Sequence, residues 1–154
     1  MKPAAYKDIP PEAIPTHGLN GGFVKVIAGT IQVENQIITG AIHGLSTEPL
    51  FLDVKMQAGE CFTLPIPESH NAFVYAYEGS LKIGNNSLIR HAVGVFSEEK
   101  YVEIHSDKTE AAFLILAARP LNEPIVQYGP FVMNTREEIE QAIADYRNGA
   151  LISK

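Results

Sequence analysis

The chain has no tryptophan, one cysteine and few cations, and none of its histidines stand close together. The nearest two, His91 and His105, lie 14 positions apart. That spacing excludes a local His-x-His or His-x-x-x-His metal site and leaves only a site assembled from distant strands. The lone cysteine, Cys61, cannot close an internal disulfide, in keeping with a reducing compartment. Against 18 acidic residues there are 12 basic ones, for a net charge of −6. The cations form no cluster able to track a phosphate backbone, so direct nucleic-acid binding is not expected. No apolar run approaches the roughly 20 residues needed to span a bilayer. Met1-Lys2-Pro3-Ala4-Ala5 carries no hydrophobic leader, and a soluble, cytoplasmic protein without membrane contact is expected. Gly-rich phosphate loops, serine nucleophile elbows and Cys-x-x-Cys pairs are also missing, since Gly18 to Gly22 leads into a strand rather than a helix.

What is present is the composition of a globular domain leaning towards strands, with 45% hydrophobic and 19% charged residues over 154 positions. One core is expected, burying about two-thirds of the surface that the unfolded chain exposes. Residues 1–22 hold Pro3, Pro10, Pro11 and Pro15 and close on Gly21-Gly22, which reads as a linker. From residue 23 to 119, short β-branched and aromatic runs alternate with turn residues, which fits an antiparallel jelly roll better than any βαβ architecture. Strands are predicted at 23–28, 50–56, 60–64, 72–77, 80–83, 92–96, 101–105 and 111–116, with turns at Glu78-Gly79 and Gly84 to Ser87. Residues 120–154 form a C-terminal extension with a helix over about 136–148. Thr135 and Glu138 make a capping box, Ile139, Ala142, Ile143 and Tyr146 share one apolar stripe, and Gly149 is placed as a left-handed cap.

Several residues are candidates for function. Cys61 alternates with apolar neighbours and reads as a small buried hydrophobe. His70, between Pro-Glu-Ser and a strand start, is suited to a hydrogen bond with a loop backbone, and with Tyr75 and Tyr77 it is a candidate pocket residue. The tyrosines alternate with Val74 and Ala76, so one set enters the barrel and the other stays outside. Tyrosines turned inward would line a small pocket, although ordinary core packing with the hydroxyl tied to a neighbour is the better explanation. Ahead of the helix, Gly129 to Asn134 is apolar and irregular. Phe131 and Met133, with Ile139, Ile143 and Tyr146 of the helix stripe, are the interface candidates.

Four segments carry a resemblance to a known family: Val24 to Gly29 (VKVIAG), Leu52-Asp53-Val54, Pro65 to Gly79 (PIPESHNAFVYAYEG) and Pro120 to Thr135 (PLNEPIVQYGPFVMNT). From about residue 6 to about residue 149 the chain resembles the C-terminal half of a pirin. The resemblance implies an all-β cupin, a double-stranded β-helix (jelly-roll) barrel with one C-terminal α-helix. In pirins an N-terminal cupin domain binds non-haem iron through three His and one Glu, while the C-terminal cupin has lost its ligands. This chain is expected to begin where that first domain would end. A cupin motif sets a His-x-His pair and a Glu ahead of a Glu-Gly hairpin turn. Here Glu78-Gly79 keeps the turn, but Pro67 and Ser69 stand where the pair would fall and Asn71 near the carboxylate, with His70 out of phase.

No metal, no cofactor and no catalytic residue are therefore expected in this chain. The expected function is a metal-free structural or protein-interaction module, self-associating as a homodimer or docking on a partner cupin domain. The alternatives are a small metal-dependent dioxygenase of the quercetin 2,3-dioxygenase type, which the resemblance alone suggests, and a small-molecule-binding cupin.

Overall fold

The computed structural model describes residues 6–33, 35–97 and 100–151. Two compact units emerge, divided between Pro120 and Leu121. In the first, period-two alternation of apolar side chains sets the strands. They are β1 (Thr16–Leu19), β2 (Gly22–Ala28), β3 (Thr30–Val33), β4 (Gln36–Thr39), β5 (Leu50–Met56), β6 (Cys61–Pro65), β7 (Asn71–Glu78), β8 (Leu81–Ile83), β9 (Asn86–Leu88), β10 (Val93–Val95), β11 (Tyr101–Ser106) and β12 (Ala111–Ala118). A six-stranded sheet runs β1-β2-β5-β12-β7-β10, a four-stranded sheet runs β6-β11-β8-β9, and β3 pairs with β4. Every pairing among these strands is antiparallel.

The two sheets share one core. Val24, Val26, Leu52, Val54, Val74, Ala76, Phe113 and Ile115 reach it from the larger sheet, and Phe62, Leu64, Leu81, Val102 and Ile104 from the smaller. Phe62 and Phe113 meet edge to face, with ring centroids 6.4 Å apart. Burying side chains of this size contributes about 1.5–3 kcal/mol each. Ala111, Ala112 and Phe113 are all buried in succession, which strict alternation forbids. A register shift between Ala112 and Phe113 in the pairing with β7 accounts for it.

The eight expected strands are present, and the structure adds β1, β3, β4 and β9 to this unit. Residues 1–5 of the expected linker lie outside the described residues, and over 11–22 the linker reading needs correction. Pro11–Ala13 forms a 3₁₀ turn, and β1 pairs along β2 from Thr16↔Lys25 to Leu19↔Gly22. The prolines stop short of the paired residues, so they do not obstruct an edge strand. Gly79 joins β7 of one sheet to β8 of the other with φ +68°, and a Cβ there would lie 2.2 Å from the Glu110 carbonyl oxygen. Only glycine meets both conditions.

The second unit consists of the hairpin β13 (Val126–Tyr128) and β14 (Phe131–Met133) with helix α1 (Arg136–Arg147) packed on it. Both halves of the capping box are formed: Glu138 N donates to Thr135 Oγ1 at 3.2 Å, and Thr135 N donates to Glu138 Oε2 at 3.1 Å. At the other end Gly149 has φ +67°, and Ala150 N reaches Asp145 O at 2.8 Å while Gly149 N reaches Tyr146 O. These bonds close the helix as a Schellman motif.

Candidate functional site

The cleft of interest opens beside β3, β5 and β6. It has a volume of about 690 Å³ and is walled by Ile31, Leu50, Leu64 and Ile66, with His43, Glu48 and His70 as its titratable side chains. Two histidines and a carboxylate are the ingredients of a non-haem iron site. Both nitrogens of His70, one of His43 and the carboxylate, however, are already engaged. His70 donates Nε2–H to the Glu48 carbonyl at 2.9 Å, and its Nδ1 lies 3.2 Å from the Ser69 hydroxyl, from which it accepts. His43 donates Nδ1–H to Gly40 O at 3.2 Å. The Glu48 carboxylate takes the Arg119 guanidinium at 2.7 Å.

Glu48 holds an unusual backbone, with φ +47° for a non-glycine residue. Such a conformation costs about 1–2 kcal/mol and persists only where neighbours enforce it. Those neighbours are named: His70 on its carbonyl, Arg119 on its carboxylate, and the Arg119 N–H on the adjacent Thr47 carbonyl at 2.9 Å. Residues 45–48 form a clamped lip over the cleft. His70 therefore serves the lip, whereas His43 bonds only Gly40 through Nδ1, and a metal held by all three side chains would require the His70 and Glu48 contacts to be given up. Pro67, Ser69 and Asn71, at the positions where cupin ligands would fall, are all exposed.

Tyr75 and Tyr77 do not line this cleft. On β7 it is Ala72, Val74 and Ala76 that turn inward, so Phe73, Tyr75 and Tyr77 belong to the outer set. The idea of inward tyrosines is corrected by this phase. Tyr77 Oη donates to Asp53 Oδ1 at 2.7 Å. Burial, that hydrogen bond and the charge of Asp53 push its hydroxyl far above the ordinary tyrosine range. The outer face carries more apolar surface than an exposed sheet face ordinarily does. Register places Phe51 opposite Leu116, Leu116 opposite Phe73 and Phe73 opposite Val95, and one row further Leu114, Tyr75 and Val93 align likewise. At the β10 edge, Val93 is 56% and Val95 80% exposed.

Cys61 also differs from expectation. Phe62 and Leu64 take the core positions of β6, so Cys61, one residue out of phase, faces outward and is exposed. The two larger side chains decide the phase because more apolar area is removed from water that way. Partial burial raises the thiol above its ordinary value, the Thr63 hydroxyl offsets part of this, and the charges of Glu103 and Glu60 raise it again. His105 stands directly across from it on β11.

The expected interface residues lie in the second unit. Ile139 is buried against the hairpin side of α1, while Phe131 and Tyr146 meet edge to face at 6.4 Å and Tyr146 stays 67% exposed. Phe131, Ile139 and Ile143 line a groove of about 610 Å³, and Met133 is half-buried on β14. The sequence reading overlooked the Glu48–Arg119 clamp and the apolar row of the six-stranded sheet. The row was detectable in principle, because Phe73, Val93 and Val95 share the outward phase of strands whose inward residues are also apolar.

Comparison with known proteins bears on both fold and family. A model of the pirin C-terminal cupin domain matches residues 51–152. A Pseudomonas aeruginosa protein provisionally named a quercetin 2,3-dioxygenase is 43% identical over 98% of this chain and 54% of its own length. Human pirin is 35% identical over 93% of this chain and 49% of its own length. The crystal structure of quercetin 2,3-dioxygenase from Acinetobacter baumannii superposes with a TM-score of 0.85 at 34% identity, covering 97% of this chain and 51% of that one. The chain thus spans about half the length of the relatives it matches. Its two-sheet unit has the cupin fold, and the chain belongs to the pirin family, to which it corresponds over the C-terminal cupin domain.

Proposed function

We propose that this chain is a docking cupin without a metal centre at its cleft, and that its partner is a second copy of itself. The observation that carries the reading is that both ring nitrogens of His70 are engaged, by the Glu48 carbonyl and the Ser69 hydroxyl, while the Glu48 carboxylate is held by Arg119. Support for docking comes from the row on the outer face of the six-stranded sheet in which Phe73 and Val95 are exposed and Phe51 and Leu116 half-buried, since contiguous apolar surface marks contact sites. A two-fold arrangement would set this face against its own copy. The groove beside Phe131 and Ile143, with Met133 and Tyr146 near it, offers a second contact region. Light scattering at micromolar concentration should give about twice the 16.8 kDa chain mass. A monomer that binds a separately added metal-bearing cupin domain would replace self-association by hetero-association, and a monomer that binds neither would overturn the docking reading.

The 690 Å³ cleft favours one further reading, the binding of a small, largely apolar molecule. Relatives named as quercetin 2,3-dioxygenases suggest a flavonol as the first probe. Binding should raise the melting temperature. Iron uptake that disappears on His70→Ala would argue instead for a metal centre at the cleft and against the module.

A further inference from the structure

Among the described residues, one group of metal-capable side chains converges, and it lies on the outer face of the four-stranded sheet rather than in the cleft. Cys61 Sγ, a Glu103 carboxylate oxygen and a His105 ring nitrogen lie within 4.8 Å of one another. His105 Nε2 is 2.7 Å from Glu103 Oε1 and 3.8 Å from Cys61 Sγ. We propose that these three residues form a surface site for a thiophilic divalent cation, with zinc the best match.

Register holds the donors in place. His105 is the direct cross-strand partner of Cys61, and Glu103 that of Thr63, so all three side chains emerge on one face. The phase is locked from below, because Phe62, Leu64, Val102 and Ile104 occupy the core positions between them. The strand start is fixed as well. Buried Ser106 donates its hydroxyl to Gln57 O and accepts from Glu60 N at 3.0 Å, and Ser106 N donates to Glu60 O at 2.9 Å. The backbone on which Cys61 sits therefore has little freedom to move away from β11.

The arrangement suits a cation and does not suit a nucleophile. In a thiol–imidazole–carboxylate relay the acid holds one ring nitrogen while the other faces sulfur. Here carboxylate and thiol both approach Nε2, so Glu103 competes with Cys61 for one atom. A metal needs that common focus. For zinc bonds of about 2.3 Å to sulfur and about 2.0–2.1 Å to nitrogen, tetrahedral geometry sets sulfur and nitrogen about 3.6 Å apart. The observed 3.8 Å is close to this. The His105–Glu103 contact must open by about 0.7 Å as the shared proton gives way to the ion, a movement within the rotamer freedom of an exposed Glu. Thiolate, imidazole and carboxylate are all zinc ligands, and the fourth position would go to water. Glu60, immediately before Cys61, adds negative charge beside the site, while Lys82 lies opposite His105 on β8 and is the cation against which the ion must bind.

This inference is independent of the docking reading, because it concerns the other sheet. Cobalt(II) offered to the full chain should bind at one ion per chain and give thiolate-to-cobalt charge-transfer absorption in the near ultraviolet, and zinc should abolish the signal by displacement. Cys61→Ser should remove the absorption. His105→Gln should weaken binding by more than the ~10–100-fold that losing an outer-shell partner costs. All three positions are at least partly exposed, so both variants should keep the wild-type melting curve. Absent charge-transfer absorption in the wild type would overturn the site, and so would undiminished metal affinity in both variants.

Discussion

The two sheets of the larger unit share one core and obey the same alternation, yet their outer faces differ in chemistry. On the six-stranded sheet the outward positions are Phe51, Leu116, Phe73 and Val95 in one row, whereas on the four-stranded sheet they are Cys61, Thr63, Glu103 and His105. Inward residues decide that a strand exists and which way it faces. Outward residues decide what that face can bind. A face of large apolar side chains gains by excluding water against another surface, and a face of convergent donors gains by capturing an ion.

The largest effect should come from breaking what the faces share. Phe113 is fully buried and meets Phe62 across the core, so Phe113→Ala should cost about 3–5 kcal/mol and lower the urea midpoint. Both outer faces should fail together, since neither sheet is stable without the other. A variant that lost docking but retained metal binding would show the sheets to be separable. Gly79→Ala attacks the joint between the sheets, where the added Cβ meets the Glu110 carbonyl oxygen. With its positive φ the substitution should cost on the order of 2 kcal/mol or more, measured by the same unfolding experiment.

Most of this scaffold could be read before the structure. The eight predicted strands, the capping box and the Gly149 cap are present because each rests on a local rule: alternation, reciprocal N–H satisfaction, or a left-handed cap. What stayed hidden depends on pairing between distant residues. β1 escaped notice because Pro10, Pro11 and Pro15 dominate its flank, although its four residues only need an edge of β2. Cys61 was misplaced because its phase relative to Phe62 decides burial, and a one-residue choice reverses the side. His105 lies 44 positions from Cys61, and only the β6–β11 register brings them together. His70 was legible as a backbone partner. The positive φ of Glu48, which explains why that partnership matters, was not.

A smaller effect should separate the faces by pH. Tyr77 donates to Asp53 on the outer side of the six-stranded sheet and ionises with difficulty in the folded chain. Because its folded pKa is raised above the unfolded value of about 10, the stabilisation is complete below that pH and is lost as the pH rises above it. Tyr77→Phe should cost about 1 kcal/mol at neutral pH and flatten the alkaline part of the stability profile. If the variant keeps the wild-type alkaline slope, Tyr77 is not the group responsible.

The smallest change in stability should accompany the clearest functional contrast. Val95 is 80% and Val93 56% exposed, so a double Val93→Ser and Val95→Ser variant removes apolar surface that the single chain leaves largely in water. Substitutions at such sites usually shift stability by no more than about 0.5 kcal/mol each. If the six-stranded face is the docking surface, the scattering mass should fall to that of one chain while the melting curve hardly moves. Cobalt absorption at Cys61 should persist unchanged, because the two residues lie on β10 and the donors on β6 and β11. A variant that kept its dimer mass would move the docking surface to the groove of Phe131 and Ile143. One that lost cobalt absorption as well would mean that the two faces communicate through the core they share.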